Sequence, residues 1–176
     1  MKDKKKIELD FEIDFLTNSI RNTISGDSFD TDVIRFTKAD LPQISKKNGW
    51  NFNWKSEFDN NKKEVFKLTI VKNPNIVQGL VSFTVNDDHI YMDLLETAPF
   101  NLGRNKLYEG VAGNLVAYVC KTSFQKGFGG YVSFTAKTKL IEHYKTTLNA
   151  QLFGGQLMVI NTAAANILIE TYFKNR

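Results

Sequence analysis

Residues 106–114 carry the pattern of small residues that a backbone anion site requires. An apolar, strand-like run over residues 89–97 precedes them, and an apolar helical run over residues 111–126 follows. Gly110 and Gly113 let the main chain approach a phosphate closely, and the unpaired N–H groups of a first helical turn point towards such an anion. The same small residues also suit tight packing where a helix leaves a sheet, so both interpretations stand.

Two carboxylates interrupt the apolar strand that precedes this turn. Asp93 and Glu96 have opposite parity, so they point to opposite faces of a sheet. A carboxylate inside an apolar strand is costly when it is buried without a partner, which favours a functional site or a satisfied contact. A surface position is the alternative for each of them.

The order of elements from residue 89 to 160 resembles the GNAT superfamily of acyl-CoA-dependent N-acetyltransferases. In that family a strand ends in a Val-x-Pro-like segment, and a turn with the pattern Gln/Arg-x-x-Gly-x-Gly/Ala follows. A helix, a strand and a second helix with a Tyr near its end come next. The corresponding parts here read Thr97-Ala98-Pro99, then Leu107-x-x-Gly110-x-Ala112, then Lys139-Leu140-Ile141-Glu142-His143-Tyr144.

The resemblance implies that acetyl-CoA is the acyl donor and that its phosphates meet the first turn of the helix. The thioester would lie against the end of the preceding strand, and Arg104 and Lys106 would add positive charge. An exposed basic loop explains Arg104 and Lys106 equally well. The implied donor-site residues are Leu95, Thr97, Arg104, Lys106, Gly110, Val111, Ala112, Gly113, Asn114 and Lys137.

The resemblance further implies direct attack of an amine acceptor on the thioester. Asp93 or Glu96 would be the base, and Tyr144 matches the family's Tyr that protonates the departing thiolate. A phenol with a pKa of about 10 suits a thiol leaving group, because both are weak acids. Packing of Tyr144 on the sheet is the alternative, and neighbouring His143 is expected to be exposed or to cap the helix.

Two other function classes stay open. The first is a catalytically degenerate GNAT-fold module that binds CoA or a protein. Leu107 supports it, because it stands where the family's phosphate loop begins with Gln or Arg, and so does Lys137, which stands near a family Asn that contacts the pantetheine arm. The second is a nucleic-acid or partner-binding protein that uses the basic N-terminus and the aromatic residues at 50–54, which otherwise line an acceptor groove or pack in the core.

The elements predict an α/β, or more strictly α+β, domain over residues 7–176. The expected sheet is mixed and mostly antiparallel, with helices on both faces. Alternation over residues 7–13 predicts a half-buried strand, and the polar residues 57–63 predict a loop. Other expectations are a bulge at Gly79 in a strand over residues 77–85, a strand over residues 151–160 that Gly154-Gly155 interrupts, and a last helix that buries Ile167, Leu168, Tyr172 and Phe173.

Composition narrows the function classes further. Of 176 residues, 42% are hydrophobic, which indicates a folded domain. The net charge of +4 comes largely from residues 1–6, which hold four Lys and one Asp; 19 basic and 18 acidic residues remain. We therefore expect a disordered basic tail and a nearly neutral body that does not bind nucleic acid.

The cysteine and histidine content sets further expectations. Cys120, the one cysteine, lies in an apolar helix and is expected to be buried and inert, and two distant His residues offer no metal-ligand spacing. No apolar run approaches the length of a membrane span, and the sequence predicts a cytoplasmic protein. The last helix and the strand around Gly154-Gly155 could pair two subunits in a homodimer.

Overall fold

A seven-stranded sheet organises the computed structural model, which describes residues 6–17 and 19–173. The strands are β1 (Ile20–Asn22), β2 (Ser28–Phe29), β3 (Thr31–Arg35), β4 (Glu64–Ile70), β5 (Gly79–Val85), β6 (Ile90–Thr97), β7 (Tyr108–Glu109), β8 (Val132–Thr135), β9 (Gln151–Leu152) and β10 (Leu157–Ile160). The α-helices are α1 (Trp54–Asp59), α2 (Val111–Gln125), α3 (Ile141–Leu148) and α4 (Thr162–Phe173). Short 3-10 turns cover Lys38–Gln43, Lys46–Asn48, Pro99–Asn101 and Thr138–Leu140.

The sheet is antiparallel except at one junction. Its strand order is β3-β4-β5-β6-β8-β10-β9, and β6 and β8 are the parallel neighbours. The strands β1, β2 and β7 form a separate three-stranded sheet. A mixed, mostly antiparallel sheet flanked by helices confirms the predicted fold class.

The unit β6-α2-β8 follows from the sequence because each part carries a local signal. The apolar run of β6 ends at the turn that the small residues allow, and α2 then packs on β5 and β6. Gly79 is needed for this packing, since a Cβ there would lie 2.7 Å from Val111 Cγ1. The predicted bulge at Gly79 is wrong: the register shift lies between Ser82 and Phe83.

Three other expectations change in the structure. Of the predicted loop over residues 57–63, residues 57–59 belong to α1, because the Asn53 side chain caps the Ser56 N–H and Trp54 is buried, whereas residues 60–63 form the expected connection to β4. The run over residues 151–160 is interrupted at Gly154-Gly155 as predicted, but the two parts pair with each other as the antiparallel hairpin β9–β10. In α4, Leu168 and Tyr172 are buried as predicted, whereas Ile167 is exposed.

The N-terminal residues bury the expected side chains without forming the expected strand. Leu9, Phe11 and Ile13 are buried, as the alternation predicts, but Leu9 alone forms a β-bridge, so the predicted strand over residues 7–13 is wrong. Most of the predicted basic tail, residues 1–5, lies outside the described residues. Lys6 is described, and its ammonium lies 4.3 Å from the ring centroid of Tyr91. None of the described helices has the length and apolarity to cross a membrane.

Candidate active site

The parallel strands β6 and β8 part soon after they begin. They pair only at Ile90 with Val132 and at Tyr91 with Ser133. Beyond this point β6 continues to Thr97 beside β5, but no described strand pairs with its other edge. A wedge-shaped gap therefore opens next to the end of β6.

The N-terminal segment 9–14 lies on the β8 side of this gap. The Leu9 N–H donates to the Thr135 carbonyl at 2.7 Å, and the Lys137 N–H donates to the Leu9 carbonyl at 3.0 Å. Because β10 already pairs with the other edge of β8, Leu9 must occupy the edge that faces β6. The chain's own N-terminal segment is thus inserted between the two strands.

A cavity of about 310 Å³ remains between this segment and β6. The segment contributes one wall, β6 contributes another through residues 95–97, and the first turn of α2 contributes Val111 and Ala112. Four carboxylates and one ammonium group line the cavity: Asp10, Glu12, Asp14, Glu96 and Lys106. Its lining is therefore predominantly acidic.

An internal carboxylate occupies the N-terminal end of α2. Asp14 Oδ1 accepts a hydrogen bond from the Gly110 N–H at 3.0 Å, and Asp14 Oδ2 lies 3.0 Å from Lys106 Nζ. No described residue accepts a hydrogen bond from the N–H groups of Val111 and Ala112. The N-terminal end of α2 therefore holds a carboxylate from the same chain at its N-cap residue, Gly110, while the phosphate site expected there stays a prediction.

Tyr144 meets the same segment from α3. Its hydroxyl donates to the Phe11 carbonyl at 2.6 Å, and its ring centroid lies 4.8 Å from that of Phe11. Burial raises the pKa of Tyr144 well above its ordinary value, and the charges of Asp10 and Glu12 raise it further. The expectation that the Tyr144 phenol keeps its ordinary pKa is therefore wrong for this arrangement.

His143 is also engaged by the segment. Its Nε2 accepts a hydrogen bond from the Ile13 N–H at 3.0 Å, which requires the neutral ring with its proton on Nδ1. The expected exposed or capping role is therefore wrong. His143 and Tyr144 together hold the segment from the α3 side.

Glu96 ties the cavity to the aromatic residues at 50–54. Its carboxylate is buried and accepts from the Asn51 N–H at 2.7 Å, from the Phe52 N–H at 3.3 Å and from Trp54 Nε1 at 2.8 Å. Phe52 and Asn51 line the cavity, whereas Trp50 and Trp54 pack in the core. Glu96 thus fixes the loop that forms the wall of the cavity opposite the N-terminal segment.

Comparison with solved structures identifies the architecture. The structure of AtaTR bound with acetyl-CoA is 15% identical, covers 78% of this chain and 97% of its own, and superposes with a TM-score of 0.54. A dodecameric spermidine N-acetyltransferase from Vibrio cholerae is 14% identical over 76% of this chain and 94% of its own, with a TM-score of 0.52. The chain has the GNAT fold. No protein-family model matches the sequence, and no curated protein is significantly similar to it.

The GNAT fold places the two candidate bases at different sites. Glu96 lines the cavity, but Asp93 does not: Thr84 donates to Asp93 at 2.7 Å, and Lys63 Nζ lies 3.7 Å away. Burial raises the pKa of Asp93, while the hydrogen bond from Thr84 and the charge of Lys63 oppose this shift. Its surroundings are those of a satisfied structural carboxylate.

The predicted donor-site residues are brought together only in part. Leu95, Thr97, Lys106, Val111 and Ala112 line the cavity. Arg104 is exposed on the loop before α2 and has no described partner.

Lys137 and Asn114 are engaged elsewhere. Lys137 Nζ pairs with Asp10 at 2.7 Å, a hydrogen bond that raises its pKa. Asn114 is buried, and its amide donates to the carbonyls of Ser19 and Gly110.

The two glycines of the turn serve close packing within the GNAT fold. Gly110 has φ 95°, and a Cβ there would lie 3.0 Å from the Ser19 carbonyl oxygen and 3.1 Å from Thr17 Cγ2. A Cβ on Gly113 would overlap the hydroxyl and ring of Tyr172, which is fully buried. Gly110 is thus approached by the backbone of the N-terminal region, and Gly113 by the side chain of Tyr172 from α4.

Replacement of Gly113 by alanine is expected to lower the free energy of unfolding by about 1–3 kcal/mol, because Tyr172 must move. Alanine favours a helix over glycine by about 1 kcal/mol, so an unstrained site would give the opposite sign. Denaturant unfolding measures the difference. Adding Tyr172→Leu to Gly113→Ala should recover part of the loss, and an equal loss in both backgrounds would contradict the contact.

The residues of the site that sequence reasoning missed include Asp10, Phe11, Glu12 and Asp14 of the N-terminal segment. The signal was present, since Glu8, Asp10, Glu12 and Asp14 alternate with apolar residues and share one parity. The pattern shows which side chains avoid the core, but it does not show which element the acidic face meets.

Cys120 is fully buried, as predicted, and burial raises the pKa of its thiol to about 12. Among residues 6–17 and 19–173, no cluster of three or more His, Cys, Asp or Glu is arranged to hold a metal ion.

Proposed function

We propose that this chain is an acyl-CoA-dependent N-acetyltransferase that transfers the acetyl group of acetyl-CoA directly to an amine. One observation carries the proposal: the open edge of β6 and the first turn of α2 meet at one cavity of about 310 Å³ in a GNAT fold. An open strand edge suits the amide groups of a pantetheine arm, and a helix N-terminus suits a diphosphate.

In the proposed transfer step, the amine nitrogen attacks the thioester carbonyl carbon, the carbon–sulfur bond breaks, and the thiolate leaves as the amide forms. A main-chain N–H near Leu95 or Thr97 would receive the oxyanion, an interaction typically worth about 3–4 kcal/mol. The amine gives up one proton, and the thiolate takes one.

Glu96 is the base that this proposal favours over Asp93. It lines the cavity, and its three hydrogen bonds leave one of about four acceptor positions of a carboxylate open. Tyr144 stays the proposed acid only if its hydrogen bond to Phe11 breaks during the reaction.

The acceptor that fits the cavity is a cationic amine. Lys137 pairs with Asp10 and Lys106 with Asp14, so Glu12 and Glu96 are the lining carboxylates whose charge would attract a protonated amine before it loses its proton. One neighbour in the structural comparison is a spermidine N-acetyltransferase, so polyamines belong in the acceptor panel.

A non-catalytic GNAT-fold module is the second candidate function. It is favoured by two contacts: the hydroxyl of Tyr144, the proposed acid, is engaged with Phe11, and the Asp14 carboxylate occupies the end of α2 that the donor's diphosphate would need. Such a module binds CoA or another partner without releasing thiol.

We expect acetyl-CoA at 100 times its Kd to add about 2.7 kcal/mol of stability, which raises the Tm by roughly 5–10 °C for a chain of this size. Differential scanning fluorimetry measures this shift, with ATP as a control for general anion effects. No shift with acetyl-CoA or CoA would contradict a donor site. A shift without thiol release across a panel of amines, spermidine included, would favour the non-catalytic module.

A further inference from the structure

The N-terminal segment 9–14 lies across the groups that the proposed donor must reach. It bonds to the end of β8 through Leu9, to Tyr144 through Phe11, and to the first turn of α2 through Asp14. One segment of six residues thus joins β8, α3 and the N-terminal end of α2 beside the cavity.

Three buried side chains anchor the segment, and the side chain of Asp14 is the group that can rotate. Leu9, Phe11 and Ile13 are buried, so their positions belong to the core. The Asp14 side chain retains about one fifth of its surface in solvent, and its contacts are those of a single carboxylate. A rotation of this side chain uncovers the Gly110 N–H and Lys106 without moving the anchors.

We propose that residues 9–14 form an intrasteric strap and that the Asp14 carboxylate occupies the anion position that the donor's diphosphate must take. This inference rests on the proposed function for the identity of the donor. Two features of a bound phosphate are reproduced by Asp14: a hydrogen bond from a main-chain N–H at a helix N-terminus and an ion pair with a nearby lysine. Donor binding therefore competes with a charge that is part of the chain.

Competition between the Asp14 carboxylate and an incoming anion predicts the direction in which anion affinity changes when Asp14 is replaced. Removal of the Asp14 carboxylate frees the Gly110 N–H and Lys106 for an incoming anion and removes a negative charge from its path. Glu12 provides the matched control, because it lies on the same segment, lines the same cavity and bonds to no described residue. A general charge effect would change both variants alike.

The experiment measures Kd by calorimetry for inorganic pyrophosphate and for acetyl-CoA with the wild type, Asp14→Ala and Glu12→Ala. We expect Asp14→Ala to bind both ligands about five- to tenfold more tightly than the wild type, and Glu12→Ala to stay within about twofold. Asp14→Asn should fall between, because it keeps an acceptor for Gly110 but loses the charge that Lys106 neutralises.

Each outcome decides one of the two proposals. Equal or weaker pyrophosphate binding by Asp14→Ala, or an equal gain in Glu12→Ala, would overturn the strap. Tighter pyrophosphate binding by Asp14→Ala, with no acetyl-CoA binding by any variant, would support the strap and overturn the donor. If Asp14→Ala unfolds, Asp14→Asn alone must still exceed Glu12→Gln in pyrophosphate affinity.

Discussion

Replacing Phe11 by alanine is expected to lower the free energy of unfolding by about 3–5 kcal/mol. Phe11 is buried, and its ring lies 4.8 Å from that of Tyr144 and 5.8 Å from that of Phe134, centroid to centroid. The truncation removes these contacts and leaves a cavity between the strap and β8. Denaturant unfolding with an unchanged m value measures the loss.

Phe153→Ala is the matched control for Phe11→Ala. Phe153 lies in the turn between β9 and β10 and is 76% exposed, so its truncation should change the free energy of unfolding by no more than about 0.5 kcal/mol. A loss below 1 kcal/mol in Phe11→Ala would show that the N-terminal segment does not pack as a part of the core.

The burial of the strap also limits how the donor cleft opens. Withdrawal of Leu9, Phe11 and Ile13 together would expose three apolar side chains at about 1.5–3 kcal/mol each. A ligand at 100 times its Kd supplies only about 2.7 kcal/mol. Under the strap proposal, donor binding is therefore expected to displace the Asp14 side chain while the anchors stay in place.

The buried position of the anchors also restricts Tyr144, the proposed acid. While the anchors hold, the Tyr144 hydroxyl remains bonded to the Phe11 carbonyl, and burial keeps its pKa raised. Protonation of the thiolate by Tyr144 then requires the Phe11 backbone to move during each turnover. Under the anchored arrangement the proton must come from another group or from water.

Local sequence signals were sufficient for the centre of the fold. The span from β6 through α2 was predictable because apolar runs, a small-residue turn and a helical stretch follow one another directly. The alternation at Leu9, Phe11 and Ile13 gave the correct buried side chains. It could not give their partner, because Thr135 and Ala136 lie more than a hundred residues away in the sequence.

The candidate site was predictable only where one element defines it. The small-residue turn before α2 follows from adjacent residues. The engagement of Tyr144, the ion pair of Lys137 with Asp10 and the Asp14 carboxylate all depend on how the N-terminal segment folds back. Residues 54–59 illustrate the same limit at a smaller scale, since their helix depends on the burial of Trp54 against a carboxylate from β6.

Glu96→Gln is expected to lower the free energy of unfolding by about 2–4 kcal/mol, because the carboxylate accepts from three donors that converge on its two oxygens. Glutamine keeps one accepting oxygen and places an NH₂ group against a buried N–H, which leaves at least one donor without a partner. Denaturant unfolding measures the loss. Glu142→Gln, whose side chain is 84% exposed in an ion pair with Lys145, should change stability by less than about 0.5 kcal/mol.

The same variant separates the two roles that Glu96 combines. If Glu96 only positions the loop at Asn51 and Phe52, the folded Glu96→Gln protein should show a raised KM for the amine with the acid limb of its pH–rate profile unchanged. If Glu96 also accepts the amine proton, kcat should fall by about 10²–10⁴-fold and the acid limb should disappear. An unchanged stability together with unchanged kinetics would contradict both roles, because a buried carboxylate with three donors cannot lose its charge without cost to one or the other.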